Sequence, residues 1–134
     1  MKSGYLLAVA FLVIAGCKKE SGSLTHDLQG TWELASIDGA WVGHRDYAPG
    51  NGNTFSFNGN TYSGKIKTVD TAYQYSGTFI IYTAKPCDFA REQTLIKFDN
   101  NVDASSLTLS NGKLTIGTTE CIADGEAFHY NRIQ

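Results

Sequence analysis

The sequence predicts an all-β fold, an eight-stranded antiparallel up-and-down β-barrel, with a two-sheet sandwich as the competing arrangement. Three observations carry this expectation. Beyond residue 27 the apolar residues alternate with period two, and no long window keeps a 3.6-residue helical repeat. Turn signals recur between the alternating runs, with Asn58-Gly59 and Asn111-Gly112 the sharpest. The 134 residues include 14 Gly but only 2 Pro and 1 Met, which favours tight turns over helix. That length gives one domain. With 11 Lys+Arg against 13 Asp+Glu the formal charge is -2, which excludes a basic nucleic-acid-binding face. A hydrophobic content of 42% supplies a core and excludes a disordered chain.

The first element is an address. Lys2 precedes an apolar run from Tyr5 to Ile14, followed by Ala15, Gly16 and Cys17. Ten apolar residues reach about 15 Å as a helix, half a hydrocarbon core, so the run reads as a secretory signal and not as a membrane span. The ending Ile14-Ala15-Gly16-Cys17 resembles a bacterial lipobox. That resemblance implies cleavage after Gly16, diacylglycerol and palmitate on Cys17, and a cell-envelope location. An ordinary signal with a coincidental Cys is the alternative. Residues 1–16 are therefore expected to be a signal peptide and 17–27 a lipidated N-terminus and flexible tether, small and polar through Lys18-Lys19-Glu20-Ser21-Gly22-Ser23. Lys18 after the Cys is not an inner-membrane retention signal of the Asp type, which favours the outer membrane.

Residues 28–134 form the expected barrel domain. Leu107–Ser110, Asn111-Gly112 and Lys113–Ile116 make the clearest hairpin, a type I′ turn that pairs Leu109 with Leu114 and Leu107 with Ile116. Thr54–Phe57 and Thr61–Ile66 make a second, turning at Asn58-Gly59 or at Gly59-Asn60 and placing Phe55, Phe57 and Tyr62 on one face. Strands are expected at 30–36, 53–58, 61–68, 73–83, 92–98, 106–110, 113–118 and 126–133. Consecutive strands with short links pair antiparallel, and eight with one apolar face each can close without an edge. Gly64 and Gly77 read as bending points of barrel strands.

Gly30-Thr31-Trp32 at the start of the first strand resembles the G-x-W motif of the lipocalins, and Arg132 stands where that family's closing Arg lies on the last strand. The resemblance covers residues 28–133 and implies that Trp32 and Arg132 close one end. An arginine over an indole gains about 0.5–2 kcal/mol. Two family features are missing: the Thr-Asp-x-x-Tyr element between strands six and seven, and a helix after the last strand. Only Trp32 and Trp41 are present, against the Trp-lined box that an avidin-like reading needs.

Alternation places a common set of side chains inside. It comprises Phe55, Phe57, Tyr62, Ile66, Tyr75, Phe79, Ile96, Phe98, Leu107, Leu109, Leu114, Ile116, Phe128 and Tyr130. These either line a pocket for a small apolar ligand or fill a barrel scarcely wide enough to hold one. Phe55→Arg or Phe79→Arg is expected to abolish uptake of an apolar fluorophore. The segment 38–52, with Trp41, His44 and Tyr47, is the expected lid.

Once Cys17 is lipidated, Cys87 and Cys121 remain, and an oxidising compartment favours a bridge between them. Three strands separate their loops, however, which puts them at opposite ends of a simple meander. Either residues 86–93 run up the barrel side, or the strand count is off, or the thiols stay free. His26, His44 and His129 share no metal-ligand spacing, and His129 faces outward. Asp99–Asp103 mimics half of a calcium loop but lacks its Gly and Glu, and His44-Arg45-Asp46 copies three kinase letters without a kinase. No nucleophile elbow, Cys-x-x-Cys or facing carboxylate pair is present, so no catalytic residue, metal or cofactor is assigned. The leading expectation is a non-catalytic, membrane-anchored binder of a small hydrophobic or amphipathic molecule. The alternative is an envelope protein-binding module, such as a protease or lysozyme inhibitor, that uses loop tips around Trp41 and Tyr47.

Overall fold

The computed structural model describes residues 21–134. Cys17, the signal peptide and its cleavage site lie outside the described residues. Helix α1 (Ser21–Leu28) leads into β1 (Gly30–Gly39), β2 (Gly43–Asp46), β3 (Thr54–Asn58), β4 (Thr61–Lys67), β5 (Ala72–Ala84), β6 (Gln93–Phe98), β7 (Ser105–Ser110), β8 (Lys113–Gly117) and β9 (Glu126–Arg132). All pairings are antiparallel, and β9 returns to pair with β1, so eight strands close into a barrel. This architecture is compatible with a lipocalin-like fold. The ninth strand, β2, lies outside the ring and pairs only with the second half of β1.

Local chemistry sets the register. The β7–β8 turn places Asn111 at φ 51° and Gly112 at φ 71°, which a type I′ turn requires, and it pairs Leu109 with Leu114 and Leu107 with Ile116. In the β3–β4 hairpin Asn58 pairs with Thr61, so the turn is Gly59-Asn60. In β1 a bulge at Ala35 interrupts the ladder to β9. Trp32 and Leu34 point inward before it, and the extra residue rephases the strand so that Ile37 faces inward opposite Phe128.

The closed end is packed solid. Leu28, Trp32, Phe57, Phe79, Ile96 and Leu114 belong to one buried cluster, with Leu24 against its side. The Trp32 indole donates to the Leu28 carbonyl at 2.8 Å, and the Arg132 guanidinium lies 4.5 Å from the centre of the Trp32 ring. Arg132 also donates to the Asp27 carbonyl, tying the last strand to the end of α1. Gln29 bonds the Gly59 backbone through both its amide atoms. The segment expected to be a tether is thus helical from Ser21 and docked. Its only apolar signal is Leu24 and Leu28, one turn apart, which is too short a repeat to register in a sequence window.

Cys87 and Cys121 are bonded. The strand stagger removes the conflict with a meander. Leu95, Ser106 and Gly117 lie on one cross-strand row, so β6 begins only two residues from the row on which β8 ends. Loops 85–92 and 118–125 therefore leave the sheet close enough to meet across the outer wall. Leu95, out of phase with the core residue Ile96, is nonetheless only 2% exposed, so the wall is covered there. Arg91 and Glu120 add a contact between the same two loops at 3.3 Å.

Candidate functional site

Above the packed end the barrel opens into a cavity of about 1150 Å³. The turns after β1, β4, β6 and β8 ring its mouth. Of the residues expected to line it, Phe55, Tyr62, Tyr75, Phe98, Phe128 and Tyr130 do so. Phe57, Phe79, Ile96, Leu109 and Leu114 do not. They sit on lower rows beside α1 and Trp32 and form or flank the floor, Leu109 bordering instead the crevice beside α1 and a recess of about 490 Å³ under Arg132. Phe79 is accordingly a packing residue, and Phe79→Arg tests folding rather than uptake. Leu34, Ile37, Ile66 and Ile116 also line the cavity.

The aromatic residues form a connected group. The Phe55 ring stacks near the Tyr130 ring (6.1 Å, 25°), meets Phe57 and Phe98 edge-on, and lies 6.1 Å from Tyr75. Tyr75 and Tyr130 come from β5 and β9, opposite strands in the ring of eight. Burial pushes the Tyr130 phenol above its usual range, with the neighbouring Tyr75 adding to the shift, and burial likewise raises Tyr75. Both hydroxyls therefore stay protonated and can donate to a ligand. The Tyr62 hydroxyl faces the Asp99 carboxylate at 3.4 Å and accepts from the Asn100 amide at 3.1 Å, so Asp99-Asn100 is a cavity-mouth turn.

At Gly64 and Gly77 the bare backbone permits close approach of neighbouring side chains. A Cβ on Gly64 would lie 2.0 Å from Tyr75 Cζ, so the Tyr75 ring lies across the bare β4 backbone. A Cβ on Gly77 would lie 2.3 Å from the Asp99 carboxylate that faces Tyr62. The rim carries both signs of charge: Arg45, Lys65 and Lys67 on one side, Asp124 and Glu126 on the other. Arg45 pairs in register with Ile37 and lies 5.5 Å over the Tyr47 ring.

The expected lid is two structures. Residues 36–46 form the β1–β2 hairpin with Trp41, 85% exposed, at its tip. Residues 47–53 are folded against β1: the Glu33 carboxylate accepts from the Gly50 and Gly52 amides at 2.9 and 3.2 Å. The outer wall carries a hydrogen-bonded chain that no residue spacing announces. His129 contacts Thr115 Oγ1 at 3.0 Å and Asp38 at 2.8 Å, while His44 contacts Asp38 at 2.5 Å and Asp46 at 3.0 Å. The chain stitches β8, β9, β1 and β2. Thr115 sits on an interior strand, paired with Thr108 of β7 on one side and with His129 of β9 on the other. Alternation had given His129 its outward face; the missing signal was that Ala35 rephases Asp38 onto that same face.

Among the described residues no group of three or more His, Cys, Asp or Glu is arranged to hold a metal ion. No described helix is long and apolar enough to cross a membrane. A narrow crevice of about 590 Å³ beside α1 opens where β6 and β7 share only two residue pairs, and the Gln93 amide nitrogen is buried there without an acceptor. Comparison of the chain with family models, with curated proteins and with solved structures finds no match in any of the three.

Proposed function

We propose that this chain is a non-catalytic, lipid-anchored envelope protein whose barrel binds a small hydrophobic or amphipathic molecule. The single observation that carries the reading is the contrast along the barrel axis: solid packing at one end, and at the other an aromatic cavity of about 1150 Å³ open to solvent. A barrel that existed only as a structural unit would gain by filling that space, since unfilled apolar volume costs stability. The lipobox-like ending at Cys17 supplies the bacterial lipoprotein part of the proposal, with the outer membrane as its location. α1 starts four residues after Cys17 and docks at the closed end, so an anchored barrel would present its mouth away from the membrane.

The test is uptake of an apolar fluorophore by the full chain carrying Cys17→Ser, compared with Phe128→Arg, which places a charge on the half-buried cavity wall. Saturable uptake lost in the variant is the expected outcome, with circular dichroism unchanged. Equal uptake by both proteins would retire the cavity as a binding site.

One observation favours the second reading, a protein-binding module. Trp41, Val42, Ile66, Val69, Val102 and Ile122 are all exposed, and all stand on the turns and strand ends around the mouth. A specific partner lost on Trp41→Ala, with fluorophore uptake unaffected, would favour that reading.

A further inference from the structure

We infer that the ligand of this cavity is a compact, fused-ring amphiphile and not a long-chain lipid. The inference rests on the binding reading above and narrows it by shape.

Depth is the first constraint. On β9 the cavity wall runs from Tyr130 to Glu126, since Arg132, the next inward residue, already belongs to the floor over Trp32. Four residues of strand span about 13 Å. Strands of an eight-stranded barrel tilt by about 35–45°, so the depth along the axis is about 10 Å. A membrane acyl chain spans half of a hydrocarbon core about 30 Å thick, so extended it needs about 15 Å. It would therefore leave the strand-lined bowl and run among the turn residues above it, since Thr68, Asn100, Asn101, Thr118 and Asp124 carry the cavity of about 1150 Å³ beyond the strand ends with polar side chains. The apolar, strand-lined part is a bowl with aromatic walls.

The wall chemistry is the second constraint. The end of the Tyr75 ring passes over the bare Gly64 backbone, and the side chain lines the bowl, 41% exposed. Tyr130 and Phe128 stand on the opposite strand, and Phe55 lies between at the base, 6.1 Å from both tyrosine rings. Flat surfaces on two opposing walls match a flat ligand, because ring faces and edges pair with rings better than with flexible methylene chains. A rigid ring system also loses less conformational freedom on entering than an acyl chain does. The tyrosine hydroxyls give its polar substituent donors, and the charged groups lie only at the rim.

The probe is 1-aminoanthracene, titrated by fluorescence into the full chain carrying Cys17→Ser, with 9-anthracenemethanol and palmitate as competitors. The fused-ring alcohol should displace the probe at a concentration at least tenfold below that required of palmitate. Tyr75→Ala should weaken probe binding at least tenfold while shifting the unfolding midpoint in urea no more than Phe128→Ala does. Displacement by palmitate at an equal or lower concentration, or palmitate binding without any probe binding, overturns the inference and leaves the cavity reading standing. Unchanged probe affinity in Tyr75→Ala overturns it too, because the ring face then has no role. Failure of every ligand to bind removes both readings together.

Discussion

The two ends of this barrel use the same kinds of residue for opposite purposes. At the closed end, Trp32 and Phe57 are buried in one cluster, Phe57 edge-on to Phe55 and Phe79, with an indole hydrogen bond and an overlying guanidinium completing the seal. At the open end, Phe128, Tyr130 and Tyr75 lie on similar inward-facing rows yet meet space. What separates the two is α1 and the first residues of β1. Leu24 and Leu28 bring a plug to one end only, and nothing among the described residues performs that role at the mouth. Inward alternation therefore reports which side of the wall a residue faces, whereas the presence of a plug decides whether it packs or lines a cavity.

The largest test of that difference is a pair of truncations. Trp32→Ala should cost about 3–5 kcal/mol, because a fully buried ring, its hydrogen bond and the platform under Arg132 are lost together. Phe128→Ala removes a half-buried ring that already borders empty volume, so it should cost about 1 kcal/mol. Urea unfolding followed by circular dichroism measures both. Equal losses would mean that the mouth is packed as tightly as the floor.

Next in size is the Cys87–Cys121 bridge, which ties the two loops on the outer wall. It closes a separation of 34 residues, so the paired Cys87→Ser and Cys121→Ser variant should lose about 3–4 kcal/mol if restriction of the unfolded chain dominates. Its effect on ligand affinity should be small, since neither residue lines the cavity. A large loss of affinity with intact stability would instead connect the outer strap to the bowl.

Much of this arrangement was legible in the residues. Period-two alternation located the eight barrel strands, and Asn111-Gly112 fixed one register outright, because a turn needing two positive φ angles leaves few alternatives. Other features depend on tertiary placement that no local pattern encodes. The helix escaped because two leucines one turn apart mean nothing until a barrel end is there to receive them. β2 escaped because its four residues, Gly43–Asp46, are all exposed and carry no apolar face. The split between floor and cavity residues was hidden for the reason given above. The glycines were visible, but their purpose was not: Gly64 is bare so that a neighbouring ring can lie on it.

That close approach yields a smaller prediction. In Gly64→Ala the new methyl would collide with the far end of the Tyr75 ring, which is partly exposed and can swing away. Stability should fall by no more than about 1 kcal/mol, whereas the ring would be driven into the bowl. Fused-ring binding should weaken several-fold, and a double variant with Tyr75→Ala should show no further loss. Additive losses would mean that Gly64 acts on the ligand by another route.

The smallest expected effect concerns the hairpin that carries Trp41 at the mouth. His44 places Nδ1 against the Asp38 carboxylate and Nε2 against that of Asp46, and both partners are acceptors only. Both contacts are therefore satisfied only by the doubly protonated ring. His129, also on Asp38, has the Thr115 hydroxyl at its other nitrogen, a group able to donate or accept. The Asp38 hydrogen bond, then the charge of Asp46, raises the His44 pKa above 6.5, and the His44 hydrogen bond, with His129 adding to it, lowers Asp38 below 3.8. The stabilisation from His44 is complete below pH 6.5 and is lost as the pH rises through its elevated folded value. The stabilisation from Asp38 is complete above pH 3.8 and is lost as the pH falls through its lowered one. The hairpin is thus held best between those limits, and because the groups are exposed the gain is modest and screened by salt. Trp41 fluorescence anisotropy should fall as the pH rises past 6.5, with Trp32 giving a constant background because it is buried at the other end. His44→Gln should flatten the profile. An unchanged profile in that variant would assign the pH dependence to another titrating group, and a profile already flat in the parent would assign the hairpin's position to its four backbone pairs with β1 alone.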